Sequence, residues 1–572
     1  MGITITVFGL LFAVLVQRLH HLQVNRGGAF RARAQATGRA SLQIPAARGS
    51  ILDCRGRSLV SSAARWDLFS DPSYMQDKLG ATVHLSRILG LPRATLRAWF
   101  ESGRNGRMIA RNLDDVQAEE IRELGIDHIY LRRCYQRIYP HGRLAAQVLG
   151  FVCDEGHGGG GIELTCNEHL AGTPGEVPVK RDARGRPMID AQARAIPARP
   201  GCHVQLTIDV AIQRQLEQRL HTALEHHQAA GAHGIVIRPT TGEVMAMASL
   251  PSFDPADFAT DYVESREYFQ NGCLQYVYEC GSTIKPLVAG AVVSDGLVDW
   301  NTMVDCENGR WLARVGRHRR QVSDSHGYGR LTVAQGVAKS VNVLMSKITL
   351  RMPVQRLRDW ILRFGFGART GIALPGEDAG MLTPAGSWTR SGTLLSVCKG
   401  YEIGVTPLQM AMAHAAVANG GVMRAPRIVR RIYAIDPENG ARIDRPVPEL
   451  APARRIFAPA DAAAIRAAMN MTMTEGTGRR VRLDGYSSAG KTGTTEKLVD
   501  GRYRSDRHIA SFICWAPAAP GIDPALLCLV VVDDPRANGH YGSQVAAPVV
   551  HDVLTYALDY AQVPPDLPAG DD

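Results

Sequence analysis

Three short segments, Ser282-Thr283-Ile284-Lys285, Ser340-Val341-Asn342 and Lys491-Thr492-Gly493-Thr494, fall in that order along the chain. Together they supply what a serine acyl-transferase needs when lysine replaces histidine as its base. Serine is a poor nucleophile until a neighbour takes its proton and donors hold the oxyanion formed on attack. If Gly281-Ser282 opens a helix, Ser282 and Lys285 share one face. The helix N-terminus, partial burial and the second lysine, Lys491, all disfavour charge on Lys285. A lysine with a lowered pKa serves as a general base near neutral pH. Each motif alone is weak, and two more S-x-x-K copies occur, Ser396-Val397-Cys398-Lys399 and Ser488-Ala489-Gly490-Lys491. The last merges with K-T-G, and the middle one reads as a serine that happens to lie near a lysine. The first copy stands apart by context. Tyr278-Glu279-Cys280-Gly281 reads as a turn, and Pro286 to Val293 as a buried helix whose first-turn proline loses no hydrogen bond.

A length of 572 residues implies more than one domain, and 45% hydrophobic content suffices for a core. The net charge of +10 raises nucleic acid as a partner. The arginines are scattered and no DNA- or RNA-binding motif occurs, so no nucleic-acid partner is expected. A basic surface facing anionic lipid or wall polymer accounts for the charge. The eleven cysteines are odd in number and show no C-x-x-C zinc pattern, and H-E-x-x-H is absent. No metal, no cofactor and few or no structural disulfides are expected. Asp324-Ser325-His326 could belong to a Ser-His-Asp triad, but no G-x-S-x-G elbow accompanies it, so a surface or structural role is expected for His326.

Met1 to Gln17 carries no side-chain charge, and extension of the apolar run through Leu22 reaches the roughly 20 residues that a spanning helix needs. Residues 1–24 therefore read as a membrane anchor, with a cleaved signal peptide as the alternative. Arg18, Arg26, Arg31 and Arg33 follow the apolar run, against the positive-inside rule; a start codon assigned too late would explain this. Residues 25–203 hold no catalytic constellation. Within them Thr95–Leu113 and Asp114–Leu124 read as helical, His128–Leu131 and Val148–Val152 as strands, and Gly156–Gly161 as a plain loop. A second domain, 204–560, opens at Val204–Asp209, with Asp209 as N-cap and Ile212, Leu216, Leu220 and Leu224 at helical spacing. His233–Arg238 and Gly242–Ala248 read as a hairpin, and Ile509–Ala516 with Ala525–Val532 as another strand pair. Strands at both ends enclosing a helical middle predict an α/β domain, an antiparallel sheet covered by helices. Residues 561–572 form a polar tail.

At this point the chain resembles the class B penicillin-binding proteins, the monofunctional peptidoglycan D,D-transpeptidases, and most closely their cell-division (FtsI-type) branch. The likeness extends past the three motifs. It includes Phe364-Gly365-Phe366-Gly367, Thr370-Gly371-Ile372 and Leu374-Pro375-Gly376-Glu377. It also includes Gly400-Tyr401-Glu402-Ile403 with Val405-Thr406-Pro407-Leu408-Gln409-Met410, and upstream Ile44 to Asp53, Gly161-Ile162-Glu163 and Leu170 to Gly175. Cys280 replaces a usual proline, Cys398 a usual glycine and Cys54 a usual arginine, departures that touch turn geometry but no catalytic group. Cys280 is expected to be buried and inert.

The resemblance implies a serine β-lactamase-like transpeptidase fold with K-T-G on the sheet's edge strand, preceded by an elongated α+β pedestal of the dimerisation type. It implies that Lys285 takes the proton of Ser282, which attacks the penultimate D-alanine carbonyl of a peptidoglycan stem peptide. Backbone N–H groups of Ser282 and Thr494 would hold the oxyanion, Ser340 would pass a proton to the leaving amine, and Asn342 would position Lys285. Lys491, Thr492, Gly493 and Thr494 would bind the donor's carboxylate end. β-Lactams would acylate Ser282. A membrane glycosyltransferase of the division machinery (FtsW-type) and other divisome proteins are the implied partners, at the inner membrane with the catalytic domain on the periplasmic side. An elongation- or sporulation-type transpeptidase, a β-lactamase or carboxypeptidase, a penicillin sensor and a non-catalytic division scaffold are the alternatives.

Overall fold

The structure is a computed structural model and describes residues 2–26, 28, 39–153, 156–181, 187–189, 194–389 and 392–568. Arg31 and Arg33, and the last residues of the polar tail, lie outside the described residues. Helix α1 (Gly2–His20) carries the apolar run, and Ile5–Val24 is long and apolar enough to cross a membrane. The chain divides into two compact units, Met1–Gly49 with Ser62–Gln136 and Ala171–Gly201, and Ser50–Ser61 with Arg137–Leu170 and Cys202–Asp572.

In the first unit, helices Lys78–Leu89, Arg93–Glu101 and Asp115–Glu123 close a core around Leu85, Leu96, Phe100 and Ile121. Asp114 and Gln117 form the capping box that starts the third helix, close to where the sequence places it. The stretch Thr95–Leu113 is helical only to Glu101. Gly103 and Gly106 both take positive φ, which ends the helix and lets Arg107–Leu113 leave as a strand opposite Trp66–Ser70.

In the second unit, the run Val148–Val152 is not a strand: Ala146–Leu149 is one helical turn that stops at Gly150, φ 80°. A run this short carries no period to separate the two forms. Gly156–Gly160 is bend and bridge, and Gly161 opens the short helix Gly161–Thr165. Helix α2 (Val210–His226) is capped by Asp209, whose carboxylate accepts from Ala211 N at 2.9 Å. The same carboxylate takes Arg57 Nη2 at 2.7 Å and Arg55 Nε at 3.0 Å, and Arg57 also binds the fully buried Asp53. Two arginines thus neutralise two buried acids beside Cys54, and burial pushes that thiol up to about 12.

The catalytic-domain sheet comprises β1 (Gly231–Arg238), β2 (Glu243–Leu250), β3 (Ala489–Val499), β4 (Arg502–Ala516) and β5 (Leu526–Asp533), all antiparallel in the order β2-β1-β5-β4-β3. Both expected strand pairs are present, and the K-T-G segment lies on the edge strand β3. Alternation along β4 assigns its side chains to two cores. Phe512 and Cys514 face α2 and the C-terminal helix Ala547–Tyr560, while Ile513 and Trp515 face the central helices.

Four central helices matter to the site: α3 (Lys285–Ser294), α4 (Asn342–Thr349), α5 (Pro407–Ala418) and α6 (Pro459–Thr474). The Thr406-Pro407-Leu408-Gln409 motif starts α5 as a capping box with proline in the first turn. Its Gln409 also binds Ala368 O and Ala379 O at 2.9 and 2.8 Å, tying down two loops. Behind α3, Phe457 stacks on Trp360 at 5.2 Å and lies against Gly290. Truncating this fully buried ring opens a cavity under the helix that carries Lys285. Phe457→Ala should therefore lower stability by about 3–5 kcal/mol, read as a reduced melting temperature.

Candidate active site

Ser282 lies in the 3-10 turn Gly281–Ile284, and the α-helix begins at Lys285, not at Ser282 as the sequence suggests. With three residues per turn, Ser282 and Lys285 still face the same side. Gly281 sits at φ 57°, and a Cβ there would stand 2.6 Å from Thr495 Cγ2, so the edge strand packs directly on the turn that carries Ser282. Thr495 Oγ1 donates to Glu279 O at 3.1 Å across that contact. Beneath the turn, the buried His414 of α5 places Nε2 2.9 Å from Thr283 O. Burial pushes its pKa down to about 4, so the ring is neutral and donates Nε2–H to that carbonyl.

Lys285 and Lys491 are both fully buried. Lys285 Nζ donates to Ser340 O at 2.6 Å and Asn342 Oδ1 at 2.7 Å, and lies 3.2 Å from Ser340 Oγ. Lys491 Nζ approaches the same Oγ at 3.0 Å and also donates to Thr492 O at 3.0 Å. One hydroxyl therefore bridges two amines. Ser340 takes φ 61°, a left-handed backbone rare for serine, and its own carbonyl is held by Lys285. Burial lowers Lys285 to about 8, against the opposing field of Asp324. Burial first, and then the charge of Lys285, pushes Lys491 well below the ordinary lysine value. Ser282 Oγ makes no hydrogen bond to either amine, so Lys285 is engaged with Ser340 and Asn342 in this state.

Asp324 is the residue sequence reasoning undervalued. In sequence it stands out only beside His326, which contacts Ser325 Oγ at 2.9 Å in an exposed loop. In the structure the Asp324 carboxylate accepts the backbone N–H of Asn342 and, at 3.2 Å, that of Val343, the first residues of α4. Asn342 Nδ2 donates to Ser323 O at 2.9 Å, which turns Oδ1 toward Lys285. An aspartate eighteen residues before the S-x-N asparagine carries no sequence signal of that contact.

Ser282, Asn342 and Thr494 line one cleft of about 370 Å³ together with Tyr401, Glu496 and Tyr503. Thr494 Oγ1 accepts from Gly542 N at 2.9 Å, which leaves its proton free for a bound anion. Thr492 Oγ1 lies 3.0 Å from Thr477 Oγ1, and Gly493 passes so close to the turn that a Cβ would meet Cys280 O at 3.0 Å. Glu279 Oε1 accepts from Glu402 N at 2.7 Å and Tyr503 OH at 2.9 Å, fastening the aromatic rim. Cys280 and Cys398 are both buried, and burial pushes both thiols up, as an inert role requires. A larger cavity of about 680 Å³, beside Arg466 and Tyr486, contains neither a serine–lysine pair nor the three motifs.

The antiparallel sheet with this buried two-lysine relay is the architecture of active-serine acyl-transfer enzymes. Residues 233–555 match the family described as the penicillin binding protein transpeptidase domain, and residues 43–206 match the penicillin-binding protein dimerisation domain. The chain belongs to the class B penicillin-binding proteins. It is 30% identical to stage V sporulation protein D of Bacillus subtilis, over 98% of this chain and 86% of that protein. It is also 30% identical to the peptidoglycan D,D-transpeptidase FtsI of Escherichia coli K12, over 92% of this chain and 86% of that one. Penicillin binding protein 3 of Mycobacterium tuberculosis, solved in complex with aztreonam, superposes with a TM-score of 0.69 at 26% identity. That match covers 92% of this chain and 99% of the solved one.

Removing the Asp324 carboxylate leaves two backbone donors at the start of α4 without their acceptor. Asp324→Ala should lose about 1–3 kcal/mol of stability and Asp324→Asn less, since one acceptor oxygen survives; calorimetric melting of both variants measures the difference.

Proposed function

We propose that this chain is a peptidoglycan D,D-transpeptidase working through an acyl-enzyme on Ser282. The observation that carries the reading is the shared hydroxyl of Ser340 between two buried lysines, one of them three residues after that serine. Neutral Lys285 keeps Ser340 O and Asn342 Oδ1 as acceptors and turns its lone pair to the Ser282 hydroxyl as substrate enters. Ser282 Oγ attacks the penultimate D-alanine carbonyl of a stem peptide, and the backbone N–H groups of Ser282 and Thr494 hold the oxyanion. The proton taken by Lys285 passes through Ser340 to the departing D-alanine amine. Thr492, Gly493 and Thr494, with Lys491 behind them, receive the donor's terminal carboxylate. A neighbouring strand's neutral amine then attacks the ester carbonyl, the C–O bond to Ser282 breaks, and the amine's proton returns to Oγ through Lys285. β-Lactams follow the first half of this route and stop at the acyl-enzyme.

Residues 1–24 anchor the protein in the inner membrane, residues 25–203 serve as a pedestal, and residues 204–560 work on the periplasmic side, with 561–572 as a tail. Septal wall synthesis beside a membrane glycosyltransferase and other divisome proteins is the supported setting, through the likeness to FtsI. A depletion strain that still divides but loses rod shape would contradict the septal role.

Fluorescent penicillin should label the wild type for hours and leave Ser282→Ala unlabelled, whereas rapid loss of label would identify a hydrolase. The base form of Lys285 prevails above its pKa, so the acylation rate should rise with pH and level off above about pH 8. A rate independent of pH across that window would remove Lys285 as the base.

A further inference from the structure

The second S-x-x-K copy lies in the same cleft as the first. Ser396 and Lys399 line it beside Ser282 and Asn342, and Arg320 joins them. Ser396 closes the helical turn Thr393–Val397, and its carbonyl accepts Lys399 N at 3.0 Å, which fixes the two residues as neighbours. The Ser396 side chain is 1% exposed, yet its hydroxyl makes no hydrogen bond. A buried hydroxyl left unpaired is costly, so a ligand atom that pairs with it is favoured. Lys399 is half-buried and, among the described residues, has no carboxylate within ion-pair distance. Among the described residues the Arg320 side chain donates to the carbonyl of Gly392, at 3.2 Å, and to no carboxylate. Burial pushes the Lys399 pKa down and Arg320 adds to the effect, while Asp324 and Glu402 act against it without reaching ion-pair distance.

From this we propose that Ser396, Lys399 and Arg320 form an anion subsite of the transpeptidase cleft. It takes a carboxylate of the donor peptide other than the terminal one received at Thr492–Thr494. One hydroxyl, one ammonium and one guanidinium line one cleft, donor types that carboxylate recognition uses. Glu402 and Glu496 line the same cleft, but among the described residues neither forms an ion pair with Lys399 or Arg320. Donors bearing two carboxylates are then preferred over donors with a neutral group at the second position. Lys399 acts here as a specificity residue and takes no part in bond making.

This inference rests on the acyl-enzyme reading, and its test separates the two. The full-length protein is reacted with two β-lactams of one skeleton, whose side chains end in a carboxylate or in the corresponding carboxamide. The rate of Ser282 acylation is read by intact mass. A charge-assisted contact should make the carboxylate reagent react about tenfold faster in the wild type. The ratio of the two rates should fall towards one in Lys399→Gln and Ser396→Ala and be retained in Lys399→Arg. Because it is a ratio within one protein, partial misfolding of a variant does not change it. Equal rates in the wild type, or a ratio that survives in Lys399→Gln, overturn the subsite while leaving the acyl-enzyme intact. Absence of any Ser282 adduct with both reagents overturns the acyl-enzyme reading and the subsite with it.

Discussion

Lys285 and Lys491 are buried side by side, and both reach the hydroxyl of Ser340. Two ammonium ions this close, out of water, repel each other and forfeit their hydration, which lowers both pKa values from the ordinary lysine range. The Ser340 hydroxyl lies within hydrogen-bond reach of both amines, so a proton can pass between them without a change of framework. The two lysines titrate as a unit rather than as independent groups. Such a pair is stable only when its geometry is imposed from outside, and the rest of the catalytic domain does this.

Each partner is held by a different element. Lys285 is carried at the start of α3, packed from behind by Phe457 and Ile465 at Gly290. Ser340 is fixed in a left-handed backbone, and the residues after it are held by Asp324 at the head of α4. Lys491 comes from the edge strand, whose register with β4 places Thr492 opposite Phe512 and Gly493 opposite Ser511. Gly281 and Gly493 let that strand approach the nucleophile turn more closely than any side chain would permit. Chemistry and packing therefore meet at the same few residues.

The sequence revealed this site because the chemistry itself demands particular residue types: a serine, two lysines and an asparagine in spaced motifs. It also revealed elements with strong local signals, such as the Asp209 cap and the two strand pairs. Short apolar runs without a period misled, as at Val148–Val152, and so did a helical pattern broken by Gly103 and Gly106. Contacts between distant segments left no trace. Asp324 meeting Asn342, Glu279 meeting Tyr503, and His414 under Thr283 depend on the assembled fold. The second S-x-x-K copy was visible as a pattern, but only the folded chain brings Ser396 and Lys399 to the wall facing Ser282.

The most direct test is a heteronuclear NMR titration of the lysine side chains in the resting protein, with Lys285 and Lys491 assigned through single substitutions. A proton lost from Lys285 near pH 8, and one from Lys491 well under the ordinary lysine value, would establish the relay on which the mechanism depends. Two lysines that both keep their charge up to the ordinary lysine range would contradict it.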